Sequence, residues 1–385
     1  MTLEEFTAQL NGSTFWKEFT YSETWFNPRP EQRVELADGI VLIGPLAYVF
    51  QLKERTEATD DPETEKKWFH NKVLSKATKQ IRDSTRYLTE HESIGLKNAQ
   101  GHSIEVRSAD LTDIKKVIVF SGSKALPQDC WQTQYYISKT AGFMHILAAH
   151  DYLGIVDKLR VPNDIRLYFE YREEVLPRLQ EDGVVVEEPD IMVGFLMEYD
   201  LPVPGSKEQL RAFVQDLDAF DLTPILGDLL AHIQNPHPSN DYYRILLEFA
   251  NSSRSIWREF KLRLIKSMEA VKERRPCRPF RFTVPEIDCT FMVAPLDPDW
   301  PSSGPDGVRM RSNGVAMFTE AAKYDAKSAR AVGLLISGDG EFIQLDWCHI
   351  DHPWAKDERI EDLLMNNLFR PVTERMVDSM FFRDD

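Results

Sequence analysis

The chain has little cysteine and no paired cysteine. Cys130, Cys277, Cys289 and Cys348 are the only four in 385 residues and make no CxxC pair, so neither a disulfide framework nor a zinc ribbon is indicated. Long apolar runs are missing too. No stretch approaches the roughly 18 to 20 consecutive apolar residues of a membrane helix, and the acidic, polar start MTLEEFTAQLNGSTFWKEF is unlike an export signal. The expectation is a cytoplasmic protein that does not enter a membrane. Positive charge is in deficit: the net charge is −16, which would repel a polyanion over most of the surface and excludes nonspecific coating of nucleic acid. Neither G-x-x-x-x-G-K-[ST] nor GxGxxG after a strand occurs, which disfavours an NTPase or a dinucleotide enzyme. The absence of G-x-S-x-G removes the usual serine hydrolase. There is no internal repeat and no low-complexity tract.

What is present is enough apolar sequence, 42%, for a well-buried core and for more than one domain. Helical and strand periodicities alternate along the chain, so the fold class is α/β. Thr2 to Phe19 reads as a short amphipathic helix, Thr20 to Phe26 as a first strand, and NPRPEQR as a loop. Leu36 to Ile43 and Leu46 to Leu52 are β-rich runs joined at Gly44-Pro45, the strongest hairpin signal in the chain. From Lys66 to Glu90, Leu74, Ala77, Ile81 and Leu88 recur at helical spacing and Lys72, Lys76, Lys79 and Arg86 fall largely away from them.

Further on, Ile114 to Phe120 reads as a buried strand and Asp164 to Gln180 as an amphipathic helix begun by Pro162. VVVEEPD and IMVGFLMEY read as strands, and Lys207 to Ala270 is mostly helical. Residues 274–305 are proline-rich and read as a long connection. Beyond them a helix (Met317 to Lys323), two strands (Ala331 to Ile336, Phe342 to Leu345) and a helix (Glu358 to Val377) form a compact tail. This divides the chain into 1–100, a helix-rich α/β region 101–273, the connection 274–305 and a small α/β region 306–385.

The hairpin arithmetic needs no coordinates. With the turn centred on Gly44-Pro45, the residue opposite Asp38 lies near Gln51 to Lys53. Side chains two apart share a face, so Gln51 and Lys53 point one way while Leu52 points into the core. A carboxylate, an amide and an amine then converge at the open end of the hairpin. Phosphodiester hydrolysis needs such a set: an oxygen-liking cation near the phosphate, and an ammonium that orients water or steadies developing charge.

At ELADGIVLIGPLAYVFQLKER the sequence resembles the PD-(D/E)xK nuclease superfamily, in particular its Mrr-like and nuclease-related branch. The resemblance runs from Phe19 to about Leu88 and implies a restriction-endonuclease-like mixed sheet at the N-terminus. It further implies Asp38 and Gln51 as ligands of Mg²⁺ (or Mn²⁺) and Lys53 as the lysine that serves the water. The family often adds an acid from the first helix or strand, for which Glu18 and Glu23 are the candidates. Glu35, three positions before Asp38 on the same expected strand, should face the other way. Lys72, Lys76, Lys79 and Arg86 would meet phosphates.

The departure from the family is Gln51, where most members carry an acid; an amide offers a carbonyl oxygen but one negative charge fewer. The expected activity is Mg²⁺-dependent hydrolysis of DNA, in genome defence or DNA processing. A second reading keeps the fold as a binding module that no longer cuts. A third makes the chain an unrelated α/β interaction protein in which Asp38 caps a turn and Lys53 is a sheet-edge charge. A homo-oligomer would gather small basic patches into one groove.

Other polar clusters carry less. Asp346, Cys348, His349, Asp351 and His352 lie on a strand end that points them to alternating sides, so they cannot share one ion. His145 and His150 read as satisfied histidines, and Ser337 to Gly340 as a turn.

Overall fold

Gly44 sits at φ +56°, the conformation a tight two-residue turn demands of its first residue. On either side of it run β4 and β5 in the chain-order set β1 (Thr20–Tyr21), β2 (Trp25–Arg29), β3 (Gln32–Glu35), β4 (Gly39–Ile43), β5 (Leu46–Glu54), β6 (Ser93–Lys97), β7 (Ser103–Arg107), β8 (Asp113–Ser121), β9 (Tyr135–Ser138) and β10 (Gly142–Ala148). The computed structural model describes residues 1–370 except 23, 30, 216, 234–239, 302 and 339–341. The chain forms two units, Met1–Gln215 and Asp216–Asp385.

The first unit is built on a six-stranded sheet in the order β1-β4-β5-β8-β10-β9. β5 is antiparallel to β4 and parallel to β8, and β8 is parallel to β10, so the sheet is mixed and the class is α/β. Leu46 to Leu52 of β5 are all buried, as strands covered on both faces are. On one face Tyr48 and Phe50 meet Phe15, which caps the helix Leu3–Thr14, and Tyr152 and Phe169 of two further helices. On the other face, Ala47 and Val49 lie in a cluster with Leu88. Leu88 belongs to the continuous helical stretch Pro62–Trp68, Phe69–Ala77 and Thr78–Glu90, of which the middle part is a π-helix. Gln51 and Lys53 follow this second set in parity.

Three stretches depart from the sequence reading. VVVEEPD is not a strand: residues 184–186 have no regular structure, Glu187 caps a helix and residues 188–190 begin it. Thr20 to Phe26 is not one strand: β1 joins the main sheet, whereas β2 pairs with β3 in a separate hairpin, so NPRPEQR is largely strand and turn. IMVGFLMEY is not a strand but supplies most of the helix Glu188–Leu196, begun by Pro189 and by a capping box between Glu187 and Asp190. Ile191 through Leu196 are all buried, and a helix covered on every side shows no periodicity by which to recognise it.

The second unit carries a four-stranded sheet, β11 (Phe280–Val284), β12 (Cys289–Pro295), β13 (Arg330–Gly338) and β14 (Ile343–Asp351), in that order. The parallel β12 and β13 are joined through the helix Gly304–Ala326. Phe249, Phe260, Phe291 and Trp347 pack ring against ring, while Met292, Leu335 and Phe318 form a second cluster. The proline-rich stretch 274–305 is therefore not a plain connection; it holds two strands, and β12 is buried along its whole length.

Candidate functional site

Asp38 is placed by a clamp on the two residues before it. The Thr24 hydroxyl donates to the carbonyl of Ala37 and accepts from the Ala37 amide at 3.1 Å, the Leu36 amide donates to Thr24 O at 2.9 Å, and the Ser84 hydroxyl donates to Leu36 O. The Asp38 amide then donates to Phe50 O at 3.2 Å. With Gly39 opposite Phe50, the next position along brings Asp38 beside Gln51.

The three residues meet. Lys53 Nζ donates to Asp38 Oδ2 at 3.2 Å, to Gln51 Oε1 at 3.3 Å and to Leu52 O at 2.8 Å, using all three protons of the ammonium. Asp38 Oδ2 also accepts from the Leu52 amide at 2.6 Å. Gln51 is 2% exposed, and the Lys53 and Asp38 side chains are 12% and 11% exposed. Three oxygens therefore converge on one cation, in a place where solvent screens them little.

Asp38 and Lys53 line a cleft of about 710 Å³. Lys72, Lys76 and Gln80 line it from the helical stretch, and so does Trp68, which the sequence reading missed. Gln80 Oε1 is buried without a donor. Lys79 is exposed and is not among the lining residues. Arg86 lies outside the cleft as well, paired with Asp83 at 3.5 Å and Glu90 at 3.9 Å and stacked on Tyr87.

Glu35 corrects the sequence reading. It ends β3, whereas Asp38 lies beyond that strand, so the alternation that was to turn it away does not carry across Leu36 and Ala37. It lines the same cleft, and its pKa is raised, first by burial and then by Asp38 and Glu4. Glu18 is wholly buried and committed elsewhere, to His102 Nδ1 at 3.0 Å and Asn98 Nδ2 at 2.9 Å. Glu23 lies outside the described residues.

Beside the cleft, Arg55 holds Glu65 through both carboxylate oxygens, at 3.0 and 3.2 Å. That bond pulls the Glu65 pKa down to about 2. Glu65 also accepts from the Thr59 amide and hydroxyl at 2.9 Å, which ties the polar loop between β5 and the helical stretch to the sheet.

Comparisons of the chain with family models, with curated proteins and with solved structures find no match. Among the described residues no three His, Cys, Asp or Glu are grouped so as to hold a metal ion, and no helix is long and apolar enough to cross a membrane. Asp346 is bonded to Arg311 at 2.9 Å and His349 faces Glu248 at 3.5 Å, separate partners for residues three apart on β14. His145 is buried between Glu173 at 3.2 Å and Arg172 at 3.0 Å, and burial lowers its pKa to about 3.

A second cleft in the first unit, about 720 Å³, is lined by Trp131, His150, Asp151 and Glu188 among others. Burial, and then Glu188, push the Asp151 carboxyl up to about 6.

Proposed function

We propose that the unit Met1–Gln215 is a nuclease of the PD-(D/E)xK kind that hydrolyses phosphodiester bonds of DNA with Mg²⁺ or Mn²⁺. The observation that carries this is the convergence of Asp38 Oδ2 and of the buried Gln51 Oε1 on the Lys53 ammonium, Asp38 and Lys53 lining a cleft that also receives Lys72 and Lys76. The order β1-β4-β5-β8, with a helix before β1 and the stretch Pro62–Glu90 between β5 and β8, supports the restriction-endonuclease-like arrangement that the sequence resembles.

The donor set fits a hard cation. It is made only of oxygens, a carboxylate, an amide carbonyl and a backbone carbonyl. Asp38 and Gln51 would hold the ion and water would complete its shell. A bound dication supplies positive charge to the phosphate and acidifies water. Hydrolysis then adds the oxygen of water to phosphorus and breaks one P–O ester bond, and the released oxygen takes up a proton to become an alcohol. The Lys53 ammonium orients that water or steadies the charge on the phosphate. Lys72 and Lys76 hold flanking phosphates.

A second reading, a nuclease-like module that binds without cutting, is favoured by two particulars. Gln51 brings no charge, and Lys53 already satisfies the oxygens a metal would use.

Supercoiled DNA and circular single-stranded DNA, each with Mg²⁺ or Mn²⁺, separate the readings. Cutting by the wild type that is lost in Asp38→Ala and in Lys53→Ala supports hydrolysis at this site. Equal cutting by all three exposes a contaminant, and binding without cutting by the wild type selects the module.

A further inference from the structure

The cleft-facing residues of the helical stretch fall four apart: Trp68, Lys72, Lys76 and Gln80. In an α-helix residues four apart drift by about 40° per step. Here Phe69–Ala77 is wound as a π-helix, whose wider turn closes five residues back and counters that drift. The core side shows the same spacing one residue on, in Phe69, Val73, Ala77 and Ile81, each at most 1% exposed. The result is a ladder along the shoulder of the helix: an indole, two ammonium groups and an amide. Lys72 and Lys76 are exposed, and neither has an ion-pair partner among the described residues.

The rest of the cleft is net acidic, its carboxylates outnumbering Lys53 and Arg55. Glu4 enters from the helix Leu3–Thr14, which lies over the other face of the sheet, and Glu35, Glu54 and Glu57 enter from the ends of β3 and β5 and the loop beyond. A duplex laid on the ladder would carry its second phosphate backbone across a groove of roughly 6 to 12 Å toward these carboxylates. Carboxylates closer to that backbone than a Debye length, about 8 Å at physiological salt, are poorly screened from it, so the second strand is repelled. A lone strand has one backbone to place, and an aromatic face beside paired cations is the usual platform for it.

Resting on the nuclease reading above, we infer that the ladder binds one unpaired DNA strand, so that the substrate is single-stranded. Trp68 stacks on a base, Lys72 and Lys76 take phosphates, and Gln80 Oε1, buried without a donor, accepts from a base N–H, which in thymine is the ring imide.

The test is fluorescence anisotropy of the full chain with a short labelled oligo(dT) and with a blunt duplex of equal length, in EDTA, followed by cleavage of both in Mn²⁺. The wild type is expected to bind oligo(dT) at least tenfold more tightly than the duplex. Trp68→Ala should weaken oligo(dT) binding about tenfold. Because Trp68 also packs on the core, Lys72→Gln/Lys76→Gln, at exposed positions, is the variant that does not depend on folding. It should lower the slope of log affinity against log salt by about 1.4.

Equal or tighter duplex binding, or an unchanged salt slope in the double variant, overturns the inference. Duplex preference with Asp38-dependent cleavage overturns the strand inference and leaves the nuclease reading standing. Oligo(dT) binding that needs the two lysines, without cleavage, upholds the strand inference and removes the catalytic reading. Failure to bind either probe overturns the strand inference, and failure to cleave either in Mn²⁺ as well overturns both.

Discussion

Replacing Gln51 by Glu puts an acid where the proposed nuclease site has an amide, and the geometry says what this should do with and without metal. At 2% exposure, an uncompensated carboxylate in place of the amide would cost several kcal/mol. Compensation is close by, because Lys53 Nζ lies 3.3 Å from Gln51 Oε1. At an effective dielectric of about 20, a charge pair at that separation attracts by about 5 kcal/mol. Asp38, bonded to the same ammonium, repels the new carboxylate by a few kcal/mol at that dielectric, so the metal-free variant should melt below the wild type, by roughly 2 to 8 °C for a net loss of about 1 to 2 kcal/mol. Adding a dication offsets this loss, since the new carboxylate then faces a doubly charged ion. A gain of about 1.4 to 2.8 kcal/mol is expected, or roughly 10- to 100-fold in Kd. Calorimetric titration of Mn²⁺ into Gln51→Glu, wild type and Asp38→Ala measures it directly. Equal Mn²⁺ affinity in Gln51→Glu and wild type would refute Gln51 as a ligand.

Asp151→Asn should stabilise the protein in a pH-dependent way. Its folded pKa, about 6 against the ordinary 3.8, means that folding opposes ionisation. The Asp151 penalty is absent below about pH 4, grows as pH rises, and is complete above about pH 6, reaching at most about 3 kcal/mol. Urea titrations should therefore show the variant gaining over wild type above pH 6 and matching it near pH 4, with Glu187, Glu188, His150 and Arg172 as the surrounding charges; a gain independent of pH contradicts the assignment. Gly333→Ala should cost about 1 to 3 kcal/mol, because a Cβ there would overlap the buried Thr319 side chain; an unchanged urea midpoint would sink that account. Glu65→Gln releases the guanidinium of Arg55 and the loop that Glu65 tethers, so trypsin should cut after Arg55 faster than in wild type, and an unchanged cleavage rate would show that the loop is held by something else.

Much of the central geometry was legible because a two-residue hairpin leaves no freedom of register. Once Gly44-Pro45 is the turn, the pairing of Gly39 with Phe50 follows, and Asp38, Gln51 and Lys53 are brought together whatever the rest of the chain does. Glu35 was misplaced because alternation holds only within one strand. Thr24 and Ser84, which bend the chain between Glu35 and Asp38, are distant in sequence and invisible to a pattern.

The helical stretch was legible as a helix but not in its winding. A 3.6-residue period selected Leu74 for the core and grouped Lys79 with Lys72 and Lys76. The π-helical segment instead buries Phe69 and Val73 and brings Trp68 to the cleft. The signal was present as polar and aromatic residues at a strict spacing of four. In the second unit, proline content concealed β11 and β12, since Pro285 opens the turn between them and Pro295 closes the second strand; both sit at strand ends, where a missing amide proton costs little.

We propose that Asp38 and Gln51 share a divalent cation beside the Lys53 ammonium. Crystals soaked in Mn²⁺ and measured at an energy where manganese scatters anomalously test it most directly. The account predicts one peak within about 2 to 2.5 Å of both Asp38 Oδ2 and Gln51 Oε1, with Lys53 Nζ moved off them. An empty site at saturating Mn²⁺, with the lysine still bonded to both oxygens, would contradict it.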